Sequence, residues 1–254
     1  MKTTLVASIV CLFFLAAQPV LSQAQVTRSP EAVALLAQCA ATMGAAQLQD
    51  VQAEGTVTRA DGREPARSLL VKSKGADRVR NEITAADRQE TYVVNRGRGH
   101  ELRGETRKAL PAHAIGYHRP EHIPAFACQV DLGRSQMEAV FVGVEAVRGR
   151  AAYHIKFVAA ARGDADDGLE ALLSEFHVFL DGETLVVLKT WNYVFAPDAI
   201  ENHSRWELYY SDYRNVGGVM MPFRIERYDN DQKLEEVVFS RVLTNVGIAD
   251  SEFE

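Results

Sequence analysis

The chain has 254 residues, 47% of them hydrophobic and 24% charged, with 17 glycines and 8 prolines. This is a globular composition, which excludes disordered, collagen-like and low-complexity chains. Its 28 basic and 34 acidic side chains leave a formal net charge of −6, so it lacks the cationic excess that phosphate contacts demand of a nucleic-acid binder, and no nucleic-acid partner is expected.

Residues 1–24 read as a secretory signal peptide. Lys2, their only charge, precedes an apolar run over 5–17, and Ser22-Gln23-Ala24 places small residues at the cleavage positions. The run is shorter than the about 20 residues of a comfortable membrane span. Cys11 sits inside it behind Val10, a side chain too large for a lipoprotein cleavage site. The expectation is a periplasmic or secreted product, residues 25–254, forming one domain with no membrane span. Export would place Cys39 and Cys128 where disulfides persist. A bridge between them would close a loop of 89 positions, worth about 4–5 kcal/mol on the chain-entropy estimate. Two buried thiols that never meet fit the spacing equally well.

The first structural element is a helix. Ser29 is a good N-cap, Pro30 suits the first helical position, Glu31 complements the N-terminal dipole and Gly44 can take a left-handed C-terminal conformation. Between them Val33, Leu36, Ala40 and Met43 fall on one face. Strands follow at 48–59 and 68–74 around Asp61-Gly62, then at 78–84 and 90–95. A break over 97–132, with Pro111, Pro120 and Pro124, reads as a lid or binding loop. Strands resume at 139–147, 151–160, 173–180, 184–195, 205–213, 219–228 and 234–243, joined by turns such as Asp181-Gly182 and Val216-Gly217-Gly218. That makes about ten or eleven strands joined too tightly for crossover helices, an α+β fold dominated by antiparallel sheet.

The strands alternate. Trp206, Leu208 and Tyr210 share one face, as do Met221, Phe223 and Ile225, and Tyr153, Ile155 and Phe157, with Phe176 and Val178 on the strand behind; the opposite faces carry residues such as Arg205, Glu207, His154, Lys156, Arg224 and Glu226. A large sheet with one apolar and one wet face must curl or be covered. With one strong helix to cover it, the expected shape is a curved, open half-barrel around that helix and the lid, and the eleven apolar residues just named are its expected ligand lining.

Catalytic motifs are missing: there is no G-x-S-x-G, H-E-x-x-H, C-x-x-C, Walker-type or dinucleotide-binding pattern. His113, His118 and His122 supply metal-ligand chemistry within the break, but Pro120 and Pro124 disrupt the regular helix that would bring the last two onto one face. Neither a metal nor a cofactor is expected, and no residue is assigned a catalytic role.

The run 212–222, Asp-Tyr-Arg-Asn-Val-Gly-Gly-Val-Met-Met-Pro, followed by Phe223-Arg224-Ile225-Glu226 and the closing stretch 245–253, resembles outer-membrane lipoprotein-sorting proteins of the LolA superfamily, which share the LolA/LolB/RseB-like fold. The match extends to 143–153 and to the helix ending at Met43-Gly44. The resemblance implies an open antiparallel barrel wrapped around helices, whose concave face holds acyl chains of a lipoprotein or lipid. The expected function is therefore a non-enzymatic exported binding protein. Two alternatives stand beside it: an envelope interaction or stress-sensing module, and a metal-dependent enzyme using the histidine segment.

Overall fold

Among the described residues, thirteen strands form a single sheet whose two halves meet in the middle. The computed structural model describes residues 26–86, 88–111, 115, 121–129, 136–161, 163, 167–196 and 199–254; residues 1–24, read as a signal peptide, lie outside them. The strands are β1 (Asp50–Arg59), β2 (Arg67–Lys74), β3 (Arg78–Thr84), β4 (Gln89–Asn95), β5 (Arg98–Arg103), β6 (Thr106–Ala109), β7 (Met137–Val147), β8 (Arg150–Ala159), β9 (Phe176–Asp181), β10 (Val187–Ala196), β11 (Ala199–Val216), β12 (Val219–Asp229) and β13 (Gln232–Thr244). Their order is β6-β5-β4-β3-β2-β1-β13-β12-β11-β10-β9-β8-β7. Each half is thus a meander, and β1 zips antiparallel onto β13, with Val51 opposite Thr244 and Arg59 opposite Glu235.

Two sequence-based expectations need correction. The break over 97–132 contains β5 and β6, raising the count from ten or eleven strands to thirteen. These strands are rich in Arg, Glu and Lys, and β6 is fully exposed at the sheet edge; the one buried side chain of β5, His100, is polar, so neither strand shows the apolar alternation that reveals a strand. Arg96 and Gly97, with φ of 50° and 78°, make the tight turn that returns β5 onto β4. In addition, the segment 173–180 is not all strand, because α2 (Asp167–Ser174) includes its first two residues. The run Leu169-Glu170-Ala171-Leu172-Leu173 is made of strong helix formers, and the strand begins only at Phe176.

The helix α1 (Pro30–Thr42) starts as read: the Ser29 side chain accepts from the Ala32 amide. The same Ser29 Oγ accepts from Phe141 N at 2.9 Å, and Ser29 N donates to Ala139 O at 2.9 Å, so the cap also anchors the helix to β7. At the other end Gly44 has φ of 65°, and a Cβ there would lie 2.1 Å from the Gly218 carbonyl oxygen. Only glycine allows this approach, in which Met220 N donates to Met43 O. Helix α1 therefore lies on the concave face against the Gly217-Gly218 turn.

Beside it, a short 3-10 helix (Pro124–Gln129) buries Ala125, Phe126 and Cys128. Cys128 is disulfide-bonded to Cys39 of α1, with Cα atoms 6.1 Å apart. These two segments plug one half of the concavity. Leu36, Met43, Ile123 and Phe126 pack there against Ile155, Phe157, Met221, Phe223 and Phe239 in one continuous core.

The convex face is less wet than its polar alternation implies. Val147, Ala152, Phe179 and Leu188 form one apolar cluster there, with Trp191 and Tyr209 packed against it. Val93 is covered by Ile248 and Phe253 of the closing stretch. That stretch is fastened by Asp50, whose carboxylate accepts from the amides of Val246, Gly247 and Ile248 at 2.7–3.2 Å, and by the Lys72–Glu252 ion pair at 2.8 Å.

Candidate ligand cavity

Along each central strand the concave face changes character at the same level. On β12 the residues in phase run Met221, Phe223, Ile225 and then Arg227 and Asp229; on β13 they run Phe239, Val237 and then Glu235; on β2, Val71, Leu69 and then Arg67. Because neighbours are antiparallel, these charged ends come together: Arg227 pairs with Glu235, and Glu235 with Arg59. The apolar stretch is the part covered by α1 and the 3-10 helix. Beyond it the concavity stays open as a cavity of about 910 Å³. Its wall combines apolar side chains (Val57, Leu69, Ile83, Leu110, Val194 and Phe195) with Trp206, Tyr92, Asn81 and the charged ends.

The charged ends form one network. Arg227 donates to Glu235 at 2.6 Å and also bonds Glu121, and Arg67 donates to the other Glu235 oxygen at 3.3 Å. The Arg227 guanidinium lies 4.8 Å from the centre of the Trp206 ring, a cation–π contact that holds the indole against the wall. Glu121 enters from the lid segment. Its backbone carbonyl accepts from Tyr210 Oη at 2.9 Å, leaving Thr190 Oγ1, also at 2.9 Å, to donate to the tyrosine oxygen. Burial raises the Glu121 carboxyl, with Glu235 adding to the effect and Arg227 opposing it, to a pKa of about 7. Glu121 thus fastens its segment to the mouth of the cavity through a carboxyl that burial holds above the usual carboxylate range.

Of the eleven residues expected to line a ligand site, Trp206 alone is on this cavity. Ile155, Phe157, Val178, Leu208, Tyr210, Met221, Phe223 and Ile225 are buried in the main core, and Tyr153 and Phe176 pack against it. These ten lie where α1 and the disulfide-linked 3-10 helix pack onto the same core. The residues that sequence reading missed are Arg67, Asn81, Glu121, Arg227, Asp229 and Glu235. Their signal was present, as Arg227 and Asp229 continue the in-phase series of β12 and replace its apolar residues at one end.

The histidine segment is only partly visible, with His113 and His118 outside the described residues. His122 is buried, edge-on to Phe239 with ring centres 6.1 Å apart, and 4.0 Å from Glu121. Among the described residues no cluster of three or more His, Cys, Asp or Glu side chains could hold a metal ion, and no helix is long and apolar enough to cross a membrane.

An open antiparallel sheet, curved around one helix and a lid and left hollow at one end, has counterparts among solved structures. A DUF1329 family protein from Desulfovibrio piger matches with a TM-score of 0.57 at 15% identity, covering 89% of this chain and 98% of the other. A LolA superfamily protein from Nitrosomonas europaea matches with a TM-score of 0.55 at 13% identity, covering 88% and 97%.

The fold is LolA-like.

A Vibrio parahaemolyticus domain assigned by name to outer membrane lipoprotein sorting shares this LolA-like fold, with a TM-score of 0.56 at 12% identity over 88% of this chain and 96% of the other. No protein-family model and no curated protein matches the sequence. At such identities the likeness establishes the LolA-like architecture, and function has to be argued from the cavity itself.

Proposed function

We propose that this is an exported, non-enzymatic binding protein that shelters the apolar part of a lipid, an acyl chain, in the open end of the half-barrel. The observation that carries the reading is the cavity of about 910 Å³ left between the sheet and the lid, within the range of pockets that enclose small ligands. Its apolar wall supplies affinity through area removed from water, at roughly 25 cal/mol per Å² before association costs. Periplasmic or secreted location follows from the leader-like residues 1–24, and the names of the proteins sharing the fold agree with an envelope role. A stress-sensing or interaction module would not need a hollow of this size.

Native mass spectrometry of the protein purified from a bacterial envelope, followed by denaturing extraction and lipid analysis, tests the reading. A co-purifying acylated species near one per protein is expected, together with uptake of a fluorescent fatty acid that Trp206→Ala weakens. Empty protein that also takes up no fluorescent fatty acid would overturn it.

A further inference from the structure

The cavity wall carries four buried polar atoms that the protein leaves without hydrogen bonds: Nε of Arg67, Nε of Arg227, Oδ1 of Asn81 and Oδ1 of Asp229. Asn81 is 5% exposed, and the arginine side chains are 13% and 16% exposed. Buried donors and acceptors of this kind are normally satisfied by water or by a ligand, and leaving them unmet is costly. Two are donors and two are acceptors, so a complementary group must both give and receive hydrogen bonds. The charges narrow the choice further. Both guanidinium groups are already paired, with Glu235 and with Glu121, and acidic side chains on the cavity wall outnumber basic ones by five to four. Neither guanidinium beside these polar atoms is left as an uncompensated positive charge that would invite an anion. A hydroxyl group is neutral and both donates and accepts, so several on one head group could meet all four atoms. The polar atoms lie beside apolar residues of the same wall, Leu69 and Ile83, so one molecule can span both surfaces.

Resting on the binding reading above, we infer that the ligand is a neutral, polyhydroxylated amphiphile, an acylglycerol or glycosylated lipid, whose head group is held by Asn81, Asp229, Arg67 and Arg227 while its chain follows the apolar wall.

The test keeps the chain constant and changes the head. Displacement of a fluorescent fatty acid from the purified protein is measured with 1-monooleoylglycerol, methyl oleate and oleate. The expected result is that monooleoylglycerol binds at least about tenfold more tightly than methyl oleate, the gain of one or two net hydrogen bonds, and more tightly than oleate. In Asn81→Leu the preference should shrink severalfold while methyl oleate binding is retained. Equal binding of the three in the wild-type protein overturns this inference and leaves the binding function intact, and so does a preference for oleate. Failure of every probe to bind overturns the binding reading itself. The wild-type comparison decides the matter even where Asn81→Leu does not fold.

Discussion

Glu121 and His177 pull stability in opposite directions as pH changes. Glu121 faces Arg227, Glu235 and His122 at the cavity mouth, and its carboxyl is raised from 4.5 to about 7. A raised carboxyl gives stability that is complete below the unfolded pKa and is lost as pH rises through the folded one, here between about 4.5 and 7. Melting wild type and Glu121→Gln side by side from pH 5 to 8 should show the wild type losing ground to the variant as pH rises. His177 lies on the convex face in a chain from Glu145 through His154 to Glu175, with links of 2.6, 2.6 and 3.0 Å, and it stacks on Trp191 with ring centres 3.6 Å apart. Burial above all, with the neighbouring His154 and Lys156 acting in the same sense and Glu175 against them, lowers its imidazole from 6.5 to about 4. Its contribution is therefore complete above pH 6.5 and lost as pH falls toward 4. His177→Gln should flatten that acid limb of the melting curve; an unchanged limb would place its origin in other groups.

At the scale of elements, the docking of α1 depends on a backbone contact that no larger residue tolerates. Gly44→Ala adds a methyl group that meets the Gly218 carbonyl at 2.1 Å in a left-handed conformation costing about 1 kcal/mol in itself. Chemical denaturation should show a loss of at least about 2–3 kcal/mol, against about 1 kcal/mol for Gly62→Ala, whose added methyl meets nothing within 4 Å. The same comparison explains which elements sequence could reveal. Helix α1 was legible because Ser29, Pro30 and Gly44 mark its ends and Leu36 and Met43 its buried face, although Val33, read onto that face, is exposed and Ala32 and Cys39 are buried instead. The hairpins of the C-terminal half were legible because turn residues separate alternating runs. Strands β5 and β6 were hidden because Arg, Glu and Lys are frequent in them and apolar residues alternate along neither. In the cavity, Trp206 was legible as one member of an apolar series, whereas Arg227 and Asp229 were passed over because a charge in an apolar phase looks like the end of a pattern. Which part of the apolar face remains open depended on where the 3-10 helix lands, and that is fixed by contacts between residues far apart in sequence, such as Cys39 and Cys128.

In the sheet the two meanders join along one seam. Neither meander contains both of its central strands: β1 begins the first half and β13 ends the second, and the nine antiparallel pairs along the seam, interrupted by a bulge at Glu54/Gly55, join them. A chain stopped after Asp231 should therefore lose the cooperative melting of the full protein, since the remaining β1–β6 and β7–β12 sheets would each carry an unpaired central strand; retained cooperative unfolding would show that one half stands alone. The seam also sets a clock. Val51 pairs with Thr244, 193 positions later, and at roughly 5–20 residues per second of synthesis the first strand waits about 10–40 s for its partner to be made. During that interval β1 is a bare template for any other strand, so a chaperone that shields this strand during biogenesis would protect the nascent chain against aggregation.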